Sequence, residues 1–70
     1  MNNYDLIKLK NALPTNHLTV INERTGFAKP YVWQVLNGDR RNNDIIDAAL
    51  QLAKEEKARL ETLRREIENL

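Results

Sequence analysis

Apolar residues recur along this chain in four blocks, and their spacing predicts four helices. Leu6, Leu9 and Leu13 sit three and four apart, with Ile7 widening the stripe, which predicts a helix over 4–13. Asn3 is placed to cap it and Asp5 suits its first turn. Pro14 ends it, because the residue before a proline is pushed out of helical geometry. Thr15 or Asn16 caps a second helix, roughly 17–25, where Leu18 and Ile21 fall three apart among polar Thr19, Asn22, Glu23 and Arg24. A third helix, roughly 28–37, carries Val32, Val35 and Leu36 at i, i+3, i+4. Gly26 separates the second and third helices, since glycine takes the left-handed conformation without a Cβ penalty. Phe27 then folds back under the joint, and Pro30 suits a first helical turn, where its missing N–H is not needed. Asn37-Gly38-Asp39 is a stop signal, followed by a polar link through Arg40 and Arg41 to a cap at Asn42 or Asn43.

From Asp44 to Leu70 there is no Gly and no Pro, and Ala, Leu, Glu, Lys and Arg dominate. This predicts one helix of about 27 residues and about 40 Å. Asp44 and Asp47 suit its start, and Glu55–Arg59 and Glu61–Arg65 are spaced as i, i+4 ion pairs. Ile45, Ile46, Ala48, Ala49, Leu50, Leu52 and Ala53 form a broad apolar face for packing on the first three helices. Beyond residue 54 the pattern narrows to Leu60, Leu63, Ile67 and Leu70, spaced three, four, three as a heptad seam. The chain therefore divides into a folded domain, 1–53, and a helical extension, 54–70, suited to self-association. The seam is short, because the heptad continued backwards meets Glu56 and Ala53. Parallel pairing also sets Arg59 against Arg64 of a second copy. The expectation is a weak homodimer through Leu60, Leu63, Ile67 and Leu70, antiparallel or splayed. The alternatives are a frayed end or a docking site for a different protein.

The joint between the second and third helices is a helix-turn-helix pattern, in which the second member of the pair is available to a DNA major groove. Charge supports a polyanionic partner. The net charge of +1 hides an asymmetry: residues 1–43 carry Lys8, Lys10, Arg24, Lys29, Arg40 and Arg41 against Asp5, Glu23 and Asp39, while residues 44–70 are net acidic. Seventy residues make one small domain that buries only about 60% of its unfolded surface. The chain has no cysteine, so there is no disulfide framework or thiolate metal site, in keeping with a reducing cytosol. No apolar run approaches the roughly 20 residues of a membrane span, and no signal peptide is visible. Catalysis finds no support: serine is absent, there is no Gly-rich phosphate loop, and His17 is the only histidine. Glu55-Glu56 lies on a predicted exposed helix with nothing to desolvate it. No enzyme activity, cofactor, metal or small-molecule ligand is expected.

The run from Arg24 to Gly38, Arg-Thr-Gly-Phe-Ala-Lys-Pro-Tyr-Val-Trp-Gln-Val-Leu-Asn-Gly, resembles the helix-turn-helix of the phage-repressor and Cro-type family, the lambda-repressor-like domains. The matching features are Gly26 in the turn, apolar Ile21, Phe27, Val32 and Val35, and the Leu-Asn-Gly ending with basic residues after it. The resemblance covers roughly residues 5–53. The chain departs from the family at Asn22, where a small residue is usual, at Ala28, where a hydroxyl or small polar cap is usual, and in its single long last helix.

The resemblance implies an all-α domain that binds double-stranded DNA sequence-specifically and regulates transcription by occupying an operator, in the cytoplasm of a bacterial cell or a phage-infected host. It implies base contacts from Lys29, Pro30 and Gln34, with Trp33 beside them at the groove edge. Lys29 can donate to guanine, Gln34 can pair with adenine in bidentate fashion, and Pro30 offers only apolar contact. For Lys29 the choice lies between base edge and phosphate; for Trp33, between DNA and packing on the long helix or a second copy. It implies phosphate contacts from Asn37, Arg40 and Arg41, and from the start of the second helix around His17, Leu18 and Thr19. The alternative is a protein-interaction module, antitoxin-like or an adaptor, whose long helix docks a partner while the helix-turn-helix is scaffold.

Overall fold

A computed structural model describes residues 2–70. They form four helices and, among the described residues, no strand: α1 Asn3–Asn11, α2 His17–Thr25, α3 Lys29–Leu36 and α4 Asn43–Glu68. The molecule is all-α, with α2 and α3 forming the helix-turn-helix and α4 running on past the other three, so its longest dimension is 45 Å and its shortest 16 Å.

Both helix starts that offered two adjacent asparagines use the first. Asn2, rather than Asn3, caps α1 by accepting from the Asp5 N–H at 2.9 Å, and Asn42 caps α4 by accepting from the Ile45 N–H at 3.1 Å. α1 also stops two residues short of the predicted 13. Pro14 excludes Leu13 from helical geometry, and the end tightens into i→i−3 bonds from Ala12 N–H to Leu9 and from Leu13 N–H to Lys10.

Four side-chain layers meet in one core. Leu9 from α1, Ile21 from α2, Val32, Val35 and Leu36 from α3, and Ile45, Ala49, Leu52 and Ala53 from α4 are buried together. Leu13, Leu18, Phe27 and Ile46 close its edges. Two residues assigned inward by periodicity point outward instead: Ile7 on α1 and Leu50 on α4 are about half exposed. Each lies on the flank of its stripe, and the nine-residue α1 buries only Leu6 and Leu9.

The turn between α2 and α3 is built from local hydrogen bonds. Gly26 has φ +80°, and its N–H donates to the Asn22 carbonyl at 2.8 Å. Asn22 Nδ2 reaches across the turn to the Phe27 carbonyl at 2.8 Å, and Thr25 Oγ1 donates to Ile21 while accepting from the Phe27 N–H. Asn22 thus fastens the joint. The end of α3 is a complete Schellman motif: Gly38, φ +87°, donates to Val35 and Asp39 N–H donates to Gln34.

The predicted ion pairs within α4 do not form. Glu55 is taken instead by Arg24 of α2, whose two terminal nitrogens donate to the two carboxylate oxygens at 2.9 and 2.7 Å. Arg59 pairs with Glu56, and Arg65 contacts Thr62. A fixed partner from another element outcompetes a flexible neighbour on the same helix, because the bidentate geometry gives two charge-assisted bonds at once.

Candidate nucleic-acid interface

α3 buries Val32, Val35 and Leu36, which turns Lys29, Pro30 and Trp33 to the opposite side. Lys29 and Pro30 are exposed in its first turn, and Trp33 is 54% exposed. Gln34, one turn after Pro30, is half-buried. Lys29, Trp33 and Asn37 stand at successive i, i+4 positions and so share one helix edge. The four residues singled out for base contact are thus brought to one face, and α3 carries no acidic side chain. Tyr31 faces away from it: the ring packs on Phe27 with centroids 5.4 Å apart, and its hydroxyl accepts from Asn42.

The helix N-termini differ in a way that bears on anions. α1 and α4 are capped by asparagine side chains and carry Asp5 and Asp44 in their first turns. α2 and α3 have no side-chain cap bond and no acid in the first turn. At α2 the N–H of His17 already donates to the Pro14 carbonyl, which leaves Leu18 and Thr19, and at α3 Pro30 has no N–H, which leaves Lys29 and Tyr31; these groups and the positive end of each helix dipole remain for solvent or for an anion. At α3 the cation of Lys29 adds to this field rather than cancelling it.

The residues assigned to phosphate sit in three settings. Arg40 and Arg41 are exposed just after the Schellman turn, and among the described residues neither makes an ion pair. Thr19 is exposed on α2. His17 is half-buried with Nδ1 2.8 Å from the Pro14 carbonyl. A carbonyl only accepts, so Nδ1 carries the hydrogen and Nε2 is left to face outward as an acceptor in the neutral ring. Asn37 is already engaged: Nδ2 donates to the Trp33 carbonyl at 2.9 Å and Oδ1 accepts from Lys10 Nζ at 2.6 Å.

Lys10 is the residue the sequence pattern did not single out. It lies one turn after buried Leu6, on the flank of the inward stripe of α1, and its ammonium reaches the C-terminal end of α3, where the helix dipole is negative. That i+4 position from a core leucine was the available signal; in the sequence Lys10 counts only toward the positive charge of residues 1–43. The contact places a third cation on the end of the domain that also carries Arg40 and Arg41.

Away from this face, Arg24 and Glu55 tie α2 to α4. The hydrogen bonds from Arg24 hold the Glu55 carboxyl below the usual carboxylate range; partial burial opposes this, and the charge of Arg24 and a bond from Gln51 add to it. The same bonds raise Arg24 further above its ordinary value. Leu60, Leu63, Ile67 and Leu70 are 38%, 43%, 58% and 102% exposed, in a row along the free end of α4. Among the described residues no three His, Asp or Glu side chains come together as a metal site, and no helix is long and apolar enough to cross a membrane.

Comparison with protein-family models, with curated proteins and with solved structures returns no match for this chain.

Proposed function

We propose that this protein is a sequence-selective double-stranded DNA-binding regulator of the repressor or Cro type, which works in the cytoplasm by occupying an operator. The observation that carries this reading is the pairing of two features. The helices of the helix-turn-helix are the two whose N-termini lack side-chain caps and acids, and α3 exposes Lys29, Pro30 and Trp33 with half-buried Gln34 beside them. In this reading Lys29 and Gln34 donate to base edges, and Pro30 and Trp33 make apolar contact with methyl groups or sugars. The start of α2, around His17 and Thr19, and the cations Arg40 and Arg41 hold phosphates and fix the register. Asn37 contributes through its remaining amide hydrogen while Lys10 keeps it in place. One such unit reads only a few base pairs, so the active species is a homodimer on paired half-sites.

The test is selection of duplexes from a random pool, followed by a salt titration on the winners. Selective binding whose affinity falls steeply with salt supports the reading. A protein that binds no duplex even at low salt overturns it. The exposed stripe Leu60, Leu63, Ile67 and Leu70 favours a second reading, an interaction module in which α4 holds a different protein. The absence of duplex binding, with a foreign protein bound to α4 and released by Leu63→Asp, is the result that selects it.

A further inference from the structure

On a helix turning 100° per residue, Leu60, Leu63 and Ile67 fall in the same arc, about 100° wide, as Ile45, Ala49, Leu52 and Ala53, and Leu70, two residues past the last helical residue, continues their spacing in sequence. The latter four are buried under α1–α3, and the former four are exposed. The core-facing side of α4 therefore continues, in line, for about four turns beyond the domain. Where it emerges, a notch opens between the end of α1 and α4, lined among others by Ala12, Leu13, Ala53, Lys57 and Leu60.

We propose that this free end of α4 pairs antiparallel with the same segment of a second copy, in the register that sets Leu60 against the partner's Leu63 and Arg59 against the partner's Glu66. The inference deepens the homodimer reading above and does not depend on DNA. A two-fold requires every contact to occur twice. In this register the layers are Leu60 with the partner's Leu63, Ile67 with the partner's Glu56, and Leu70 with the partner's Ala53, each repeated by symmetry. Leu70 thereby arrives at the partner's notch, which has apolar walls in the right place to receive it.

Charge selects this register. The edges of the seam are Lys57 and Arg64 on one side and Arg59 and Glu66 on the other. Parallel pairing faces Arg59 with the partner's Arg64, a like-charge contact. Antiparallel pairing shifted by one heptad faces either Glu66 with the partner's Glu66 and Arg64 with the partner's Arg64, or Arg59 with the partner's Arg59 and Lys57 with the partner's Lys57. Only the proposed register puts opposite charges together along an edge, Arg59 with the partner's Glu66, made twice. Arg59 is already bound to Glu56, so it lies between that carboxylate, which enters a seam layer, and the partner's Glu66. The other edge faces Lys57 with the partner's Arg64. That repulsion and the Glu56 layer keep the dimer weak.

Sedimentation without DNA, on the full chain, tests this. The wild type is expected to dimerise in the micromolar range. Glu66→Arg and Arg59→Glu each turn two ion pairs into repulsions and should weaken the dimer about tenfold; the double variant R59E/E66R should regain wild-type affinity. Lys57→Glu should tighten it, because it then faces the partner's Arg64. Parallel pairing makes the opposite forecast: R59E tightens the dimer, and E66R and K57E leave it unchanged. Either that pattern, or a failure of the double variant to recover, overturns the register, and a wild type monomeric at high micromolar concentration overturns the pairing altogether. All these positions are exposed on the free end of α4, and unchanged helical circular dichroism separates lost association from lost folding. Duplex binding retained by a monomer keeps the DNA reading while this one fails.

Discussion

Lys10 Nζ donates to Asn37 Oδ1 at 2.6 Å, and so joins α1 to the C-cap residue of α3 across 27 positions of sequence. The bond fixes the amide so that its nitrogen faces the Trp33 carbonyl. Lys10→Met and Asn37→Ala are each expected to cost about 1 kcal/mol, the scale of a partly exposed charged hydrogen bond. In a double-mutant cycle by urea unfolding the two losses should not add. Strict additivity means that the bond is not made in solution.

Readout and anchoring separate by their response to sequence and salt. Gln34→Ala should weaken binding to a selected site by about 1–3 kcal/mol and relax preference at one base pair. Arg41→Ala should weaken binding to every duplex and lower the salt slope by about one. Equal loss by Gln34→Ala on specific and non-specific DNA removes Gln34 from base contact.

The two glycines with positive φ are not equivalent. A Cβ on Gly26 meets nothing within 4 Å, whereas on Gly38 it comes to 3.2 Å from Asn3 Oδ1 and 3.3 Å from a Leu6 methyl. Gly26→Ala should therefore cost only the left-handed backbone penalty, about 1–2 kcal/mol. Gly38→Ala should cost more, because the Asn3 and Leu6 side chains must also give by a few tenths of an ångström. On a domain this small each kilocalorie lowers the melting temperature by about 4–8 °C. Equal melting temperatures for the two variants contradict the close approach of α1 to Gly38. Gly26→Val should exceed Gly26→Ala, since a β-branched residue tolerates positive φ least.

Arg24 and Glu55 make stability depend on acid. The Glu55 carboxyl titrates lower in the folded chain than in the unfolded one, so the folded state gains from its ionisation. That gain is complete above the unfolded value, about 4.3, and is lost as pH falls through the lower folded value. Glu55→Gln should lower stability at neutral pH and make the acid limb shallower, with variant and wild type converging as pH falls through the folded value. An acid limb identical in wild type and variant counts against the pair.

The helices, the left-handed Gly26 and most of the core were legible because each is set by local rules: spacing three and four, a proline stop, a glycine without Cβ. What escaped was whatever depends on two elements meeting. Glu55 has Arg59 one turn away in sequence, yet binds Arg24 from 31 residues upstream, and no periodicity reports on that. Asn37 was read as free for phosphate because Lys10 comes from another helix. Ile7 and Leu50 fit an apolar stripe, and only the amount of neighbouring surface decides that they stay outside. The choice of Asn2 and Asn42 over the next asparagine is a one-residue matter of backbone geometry that two identical side chains cannot announce.

The length of α4 past the domain acts as a ruler. With the free ends paired in the proposed register, the two-fold falls between Glu61 and Thr62, about a dozen residues beyond Ala49, the middle of the stretch that the domain grips. At about 1.5 Å per residue the two grips are then separated by about 37 Å along the helix. One turn of duplex DNA spans roughly 34–36 Å between half-sites. The helix extension would then set which spacing of half-sites the protein accepts, and a heptad inserted before Leu60 would lengthen that spacing by roughly 20 Å.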